Sequence, residues 1–486
     1  MQEFDELFEA AVVAFRQRMV LAVKVMSEAR SAEAFCVAER ELVGLARELA
    51  AHMTQRVVQT VSDDSERRAE ALAHVRARAA ERGIEICSIG DRQTPVRTLG
   101  GQVVEVRTPY AIGKPWASEP LETRGGQGTG VYPVLDLLGI VGRSTPALRL
   151  LVSRTVAEAN SVTSARELLA AGGVSIDHKA ALRLTYVVCE DALGARKQAM
   201  SALKAGVPGE LSGRRVVATV DGGRVLVRRR VAGRPKKGGR KRFVTEWREP
   251  KVLTVYVVGD DGKRDRTVSP VIDGTLGDAD EVFALLRYHL LRLGGHQAKD
   301  LALVGDGAPW IWARADELRA ALDLPEERFH EVIDYFHVVE RLGELAALQG
   351  WTDDERIEWV GSQKRALKTL PVEHVEAAVL ALKFASDEAH ARERDFWSRN
   401  RERLRLADAL DACIPIGSGA VESSVRRVIN LRMKGPSIAW TERHAEGVLH
   451  LRSYAKSARW SELERVILSN TGWHPTNRRP VSDRAA

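Results

Sequence analysis

Apolar residues recur at helical spacing through residues 3–82, among many Arg and Glu and almost no Gly or Pro, which predicts two or three helices. From residue 84 the period changes. Gln102-Val103-Val104-Glu105-Val106-Arg107 alternates and runs into Pro109-Tyr110, so residues 84–112 read as a small β unit. The stretch Gly125-Gly126-Gln127-Gly128-Thr129-Gly130 has no strand before it and no Gly-Lys-Ser/Thr after it, and reads as a linker. Residues 145–203 return to helical spacing. Within them Ser164–Ala171, the turn Gly172-Gly173-Val174 and a helix capped by Ser175 have the form of a helix-turn-helix. Asp177, His178 and Lys179 would then lie in its exposed first turn; a helical hairpin with no DNA role fits the same pattern.

Beyond residue 214 the pattern becomes α/β. A strand over Arg214–Val220 is followed by Arg224–Arg230, expected to be its partner after a turn, then by Lys251–Val258, the hairpin Gly259-Asp260-Asp261-Gly262 and a further strand. A helix is predicted over Asp278–Leu293, a strand over Asp300–Gly305, a helix containing Trp310, Trp312 and Arg314, a short strand over Phe329–Ile333, and a helix over Tyr335–Leu348. Three strands, a helix, a strand, a helix and a strand is the order of the ribonuclease H-like fold, an α/β class. There the first strand lies beside the fourth, and open α/β sheets place their sites at such carboxyl ends. A helical insertion, about 349–412, would precede the last helix.

The length of 486 residues suggests roughly three domains. The expected division is a helical region (1–82), a β unit (83–118), a helical, helix-turn-helix-like region (131–205), the α/β domain (210–460) and a C-terminal tail (461–486). Four scattered cysteines, Cys36, Cys87, Cys189 and Cys413, form no CxxC pair, which argues against a disulfide framework or a cysteine zinc site. The acidic N-terminus has no apolar leader and no stretch of about 18 apolar residues occurs, so a soluble, cytoplasmic protein is expected. The net charge of +7 is unevenly spread: residues 228–242 carry nine Lys/Arg and no acid, leaving −2 for the rest. Residues 423–459 add eight Lys/Arg against Glu442 and Glu446.

Both basic runs flank acids in chemically suggestive contexts. Asp221 follows Val216-Val217-Ala218-Thr219-Val220 and precedes Gly222-Gly223; Asp306 ends Leu301-Ala302-Leu303-Val304-Gly305; Glu422 lies in Gly417-Ser418-Gly419-Ala420-Val421-Glu422, opening a basic helix. Two strand-borne aspartates and a helix-borne glutamate suit two hard cations, which prefer carboxylate oxygen. Basic residues beside them suit a polyanion whose scissile phosphate must approach the acids.

Over roughly 210–460 the chain resembles DDE-type insertion-sequence transposases of the ISKra group, related to the Mutator-like transposases. The motifs are Val220-Asp221-Gly222-Gly223-Arg224, Trp247-Arg248-Glu249-Pro250-Lys251, Gly305-Asp306-Gly307-Ala308-Pro309-Trp310, Asp334-Tyr335-Phe336-His337 and Gly417-Ser418-Gly419-Ala420-Val421-Glu422. The resemblance implies Asp221, Asp306 and Glu422 as catalytic, metal-binding residues for two divalent cations (Mg²⁺ or Mn²⁺), supported by Asp334, His337 and Trp310. It implies double-stranded DNA as partner (terminal repeats and target), a homo-oligomer on that DNA, and a nucleoid-associated location when bound. Phosphate contacts are expected from Arg228, Arg229, Arg230, Lys236, Lys237, Arg240, Lys241, Arg242, Arg426, Arg427, Arg432 and Lys434, with His178 and Lys179 of the N-terminal half at the DNA as well. Relatives usually carry a cysteine zinc ribbon near residues 80–118. Only Cys87 stands there, so zinc is not expected. Two other readings share these residues: a domesticated DNA-binding regulator with an idle site, and a ribonuclease H-like nuclease that cleaves without joining.

Overall fold

In the computed structural model, which describes residues 2–115, 130–231, 233, 242–435 and 438–469, the chain is a mixed α/β protein of two compact units. One comprises Met1–Asp191 with Glu464–Ala486, the other Ala192–Leu463. Among the described residues no helix is long and apolar enough to cross a membrane.

The N-terminal helices are three: α1 (Gln2–Ser27), α2 (Ala32–Asp63) and α3 (Ser65–Ala80). Their breaks are capped, because the Ser31 hydroxyl accepts the Ala34 N–H and Asp64 accepts the N–H groups of Glu66 and Arg67. The alternating segment forms β1 (Ile84–Arg97) and β2 (Val103–Pro115), antiparallel with a bulge between Ile86 and Ser88, and β3 (Gly130–Val131) pairs with β2 at Ala111. Val104 and Val106 are buried in one core with Ala51 and Val58 of α2, whereas Val103, Glu105 and Arg107 face outward. Gln59 of α2 exchanges two 3.0 Å hydrogen bonds with the Arg107 backbone, covering that edge as a neighbouring strand would. The glycine-rich linker lies, up to Thr129, outside the described residues.

Next come α4 (Pro133–Leu137), α5 (Pro146–Glu158), α6 (Val162–Ala171) and α7 (His178–Ala202). The helices on either side of the Gly172-Gly173 turn share a core of Leu148, Val152, Ala165, Leu169, Val174 and Leu184. The cap of α7 differs from expectation. Asp177, not Ser175, accepts the Ala180 N–H at 2.9 Å, and this bond holds its carboxyl below the ordinary range. The Ser175 carbonyl accepts the Arg97 guanidinium instead, at 2.7 Å. His178, Lys179 and Arg183 are exposed.

The second unit is built on a five-stranded sheet. Its strands are β4 (Arg215–Gly222), β7 (Lys251–Val258), β8 (Val271–Thr275), β9 (Asp300–Gly305) and β10 (Phe329–Ile333), in the order β10-β9-β4-β7-β8. β4, β9 and β10 are parallel; β7 is antiparallel to β4 and β8 to β7. Between β4 and β7 the chain leaves this sheet as a two-stranded ribbon, β5 (Val225–Arg230) with β6 (Phe243–Arg248). Thus Arg224–Arg230 does not pair with the first strand. The strand beside β4 must complete a buried ladder, and Arg228, Arg229 and Arg230 are exposed on the ribbon. The turn at Gly259–Gly262 forms, yet the segment after it contributes a single bridge, Arg264 to Val258, and the edge strand comes later as β8.

Helix α8 (Ala279–Arg292) follows β8; α9 (Pro309–Trp312) and α10 (Ala315–Ala321) follow β9; α11 (Tyr335–Ala347) follows β10. The expected insertion is the helical run α12 (Asp353–Thr369), α13 (Val372–Leu380), α14 (Asp387–Asn400) and α15 (Leu406–Asp411). Then α16 (Gly419–Val425) runs into a π-turn at Arg426–Asn430, followed by α17 (Glu442–Lys456) and α18 (Trp460–Ser469). The segment expected as a tail therefore begins inside a helix.

A buried charge cluster ties α17 to β8. Asp273, with no exposed surface, is bonded by Arg196 (3.0 Å), His289 (2.9 Å) and His450 (2.9 Å), and Arg196 also holds Glu446 at 2.7 Å. Against the cost of burial, the charges of His450 and Arg196 hold the Asp273 carboxyl well below its ordinary range. The Arg292 guanidinium donates to His289 Nδ1 at 3.0 Å, leaving Nε2 to donate to Asp273. That arrangement requires a neutral ring, and burial pulls the His289 pKa down to about 4.

Candidate active site

The carboxyl ends of three neighbouring parallel strands each deliver one aspartate. Thr219 pairs with Val304, so two residues further on Asp221 and Asp306 stand level, one after the other's strand neighbour. Ile333 pairs with Gly305, which puts Asp334 level with Asp306, and the Asp334 N–H donates to the Gly305 carbonyl at 2.8 Å. All three side chains are fixed by backbone. Asp221 Oδ1 accepts the Gly222 N–H at 2.6 Å, and Asp306 Oδ1 accepts the Ala308 N–H at 2.9 Å. Asp334 Oδ1 caps α11 through the N–H groups of Phe336 and His337 (2.6 and 3.0 Å), while its Oδ2 accepts the Ser418 N–H.

Asp334 thereby belongs to the scaffold. It has no exposed surface and spends both oxygens on backbone N–H groups, the second of which opens the helix that carries Glu422. A second clasp runs alongside, from the Tyr335 N–H to the Ile416 carbonyl at 2.8 Å. Helix α16 lies over β4 and β7, where Thr254 donates to the Ser424 hydroxyl at 2.9 Å. Gly223 permits that approach, since a Cβ there would lie 2.4 Å from Ile429. Glu422 itself is exposed.

Asp306, Glu422 and His337 all lie within electrostatic reach of Asp221. Burial is the main force pushing the Asp221 carboxyl above its ordinary range; the charges of Asp306 and Glu422 add to the rise, while the Gly222 N–H and His337 oppose it. A hard divalent cation would relieve this crowding of carboxylates, so the donor chemistry fits one. Among the described residues, no three Asp, Glu, His or Cys side chains stand close enough together to grip a single ion unaided. Asp221 and Asp306 share the sheet edge, and Glu422, on α16, reaches Asp221 through its field.

Further side chains shape this edge. The buried Trp312 indole donates to the Asp306 carbonyl at 3.0 Å, anchoring the strand end. Lys251, opposite Gly222 in the register, lies 3.3 Å from Glu249 and 4.6 Å from the Trp310 ring. Trp310 is half-buried, with Phe283 edge-on to it and Lys251 over it. It is thus occupied as a packing residue. His337 is exposed on the first turn of α11, 3.9 Å from Glu340.

The basic residues sort into two groups. Arg228, Arg229, Arg230, Arg242, Arg426 and Lys434 are exposed. Arg432 is not available to a partner: it is 6% exposed and lies over the Trp440 ring, 5.0 Å from its centre. Arg427 is half-buried and spends its guanidinium on the carbonyls of Ser423 and Lys456. Lys236, Lys237, Arg240 and Lys241 lie outside the described residues. Neither stacking of Arg432 nor the inward turn of Arg427 is visible in a count of charges.

Comparison of the chain with protein-family models, with curated proteins and with solved structures found no match in any of the three.

Proposed function

We propose that this chain is a DNA transposase of the DDE type, acting on the ends of its element and joining them to a target. The observation that carries the reading is the level pair Asp221 and Asp306 at the ends of adjacent strands, with Asp221 feeling the charges of both Asp306 and Glu422. The sheet order supports the ribonuclease H-like assignment: β7, antiparallel to β4, and then β8, antiparallel to β7, lie on one side of β4, and two parallel strands lie on the other, with the helix bearing Glu422 laid over β4 and β7.

Asp221, Asp306 and Glu422 would hold two divalent cations, which when bound activate an attacking oxygen and neutralise a leaving one at phosphorus. The chain's own part is positional. The Gly222 and Ala308 N–H groups each engage one carboxylate oxygen of Asp221 and Asp306, which leaves the other oxygen for ligation. Asp334 fixes the start of α16, the helix that carries Glu422. His337 offsets negative charge at Asp221. The exposed arginines of the ribbon and of the π-turn supply contacts to the DNA backbone, which give affinity and not sequence choice.

The test is strand joining with pre-cleaved element ends and Mg²⁺. Joined product supports the reading, cleavage without joining identifies a nuclease, and specific end binding with neither reaction identifies a regulator.

A further inference from the structure

Immediately beside the Asp334–Ser418 clasp is a cavity of about 440 Å³ between α11, α12 and the approach to α16. Its walls are Tyr335, Phe336, Val339, Leu410 and Ile416, with Lys364 and Lys368 at the α12 side. Phe336 is the unusual member. It is 62% exposed, although it stands in the first turn of a helix whose neighbouring Tyr335 and Val338 are buried. Its ring borders Gly417, where a Cβ would come within 3.1 Å of it, and its backbone N–H is held by Asp334 at 2.6 Å. An exposed aromatic ring on so constrained a backbone is a preset stacking surface.

The charge of the cavity is one-sided. Lys364 and Lys368 are exposed, and among the described residues neither makes an ion pair with a carboxylate. Lys368 lies 4.3 Å from the Tyr335 ring centre, so its ammonium is drawn over the aromatic wall. Among the described residues no acid lines the space. Apolar and aromatic walls, with cations alone at the rim, match a flat uncharged ring that carries an anion: a nucleobase with its phosphate.

We infer that this cavity receives an unpaired base of a DNA strand, stacked on Phe336, with the adjoining phosphate drawn to Lys364 and Lys368. The inference rests on the phosphoryl-transfer reading, since it gives a strand end beside the acids a place to be held. Base stacking on an aromatic side chain is sequence-tolerant, so the cavity would hold a displaced base of any identity.

The test uses the full chain, a short labelled oligothymidylate and fluorescence anisotropy, in the absence of divalent metal. Phe336→Ala should weaken oligothymidylate binding at least about fivefold, the lower end of a stacking loss. Phe336→Tyr should keep the affinity, and Lys364→Ala with Lys368→Ala should weaken it and reduce its salt dependence. Binding of a fully paired blunt duplex should be unchanged in all three. Unaltered oligothymidylate binding by Phe336→Ala, or an equal loss on single strand and duplex, overturns the inference. An apolar peptide site would give the first of these results. Joining of pre-cleaved ends by the unmodified chain is read separately. If joining is absent while oligothymidylate binding depends on Phe336, the transposase reading falls and the base pocket stands.

Discussion

Asp221 and Asp306 end adjacent parallel strands at the same height, because Thr219 and Val304 are register partners two residues before them. A strand's side chains alternate faces, so a slip of one residue would send one of the acids to the opposite face of the sheet. The flanking residues leave little room for such a slip: Val216, Val217, Ala218 and Leu301 to Val304 are all without appreciable exposure.

Replacing any one of Asp221, Asp306 or Glu422 with Ala should therefore abolish Mg²⁺-dependent cleavage and joining while leaving affinity for element ends nearly intact. Metal ligation serves the transition state, whereas phosphate contacts serve binding. The triple variant should be no worse than a single one, since the acids act as a unit. Gel-based joining and end binding decide this; substantial joining by Asp306→Ala would remove it from the site.

Asp334→Ala should cost on the order of 2–4 kcal/mol of stability, from one lost helix cap and one buried N–H left unpaired. Asp334→Asn should keep the cap and lose less. Both should impair joining beyond their effect on folding, through misplacement of Glu422. Urea unfolding with a parallel joining assay checks it, and an Asp334→Ala chain of unchanged stability would show that the clasp carries no energy.

Substituting Arg228, Arg229, Arg230 and Arg242 with Ala should weaken binding to every duplex alike. Each lost phosphate contact should lower the log–log salt slope by about 0.9. Arg432→Ala should behave otherwise, losing stability through its stack on Trp440 rather than affinity. Filter binding at several salt concentrations separates the two; an unchanged slope in the ribbon variant would mean that its arginines are merely solvated.

Stability should fall as pH drops from about 6.5 to about 4, through His289. Its folded pKa of about 4 lies below the unfolded value, so over that window the unfolded chain binds a proton that the folded chain refuses. One group contributes at most about 1.4 kcal/mol per pH unit. Asp273, depressed in the folded state, adds stability that is present above its unfolded pKa and lost at lower pH still. His289→Gln should flatten the upper part of the profile in urea titrations. A profile with the same slope in that variant would assign the effect elsewhere.

For reading of the element's ends, the exposed first turn of α7 remains the candidate. His178→Ala with Lys179→Ala in the full chain should reduce preference for the terminal repeat more than general DNA affinity, with roughly 1–3 kcal/mol at stake per base contact. Competition binding with random DNA measures the ratio, and an unaltered ratio places recognition outside this helix.

Most of the candidate site's edge was legible in the sequence because a central parallel strand announces itself. The apolar runs before Asp221, Asp306 and Asp334 predicted β4, β9 and β10 within a residue or two, and the acids follow directly. The ribbon was not legible as such. Asp221-Gly222-Gly223 has the chemistry of a hairpin turn, and local chemistry alone cannot know that the true partner of β4 lies beyond an excursion of arginines. The same limit applies to Arg432 and Trp310: composition marks a cation or an indole as able to meet DNA, and only packing shows what already faces it. Ser418 and Lys251 stood inside motifs, but the backbone N–H by which Ser418 holds Asp334, the register position of Lys251 and the indole N–H that Trp312 gives to the Asp306 carbonyl are set by packing.

The clasp of Asp334 with Ser418, and of Tyr335 with Ile416, has a further meaning for how the chain can change over time. It closes a ring whose circumference is α11 through α15, helices that also bury Leu342, Leu367, Val375 and Trp397 in the core they share with the sheet. Closure entropy grows only with the logarithm of length, by about 0.6 kcal/mol per doubling. Exposed connections between these helices can thus lengthen at small cost while the start of α16 stays held beside α11, whereas the helices themselves are fixed by the core they complete.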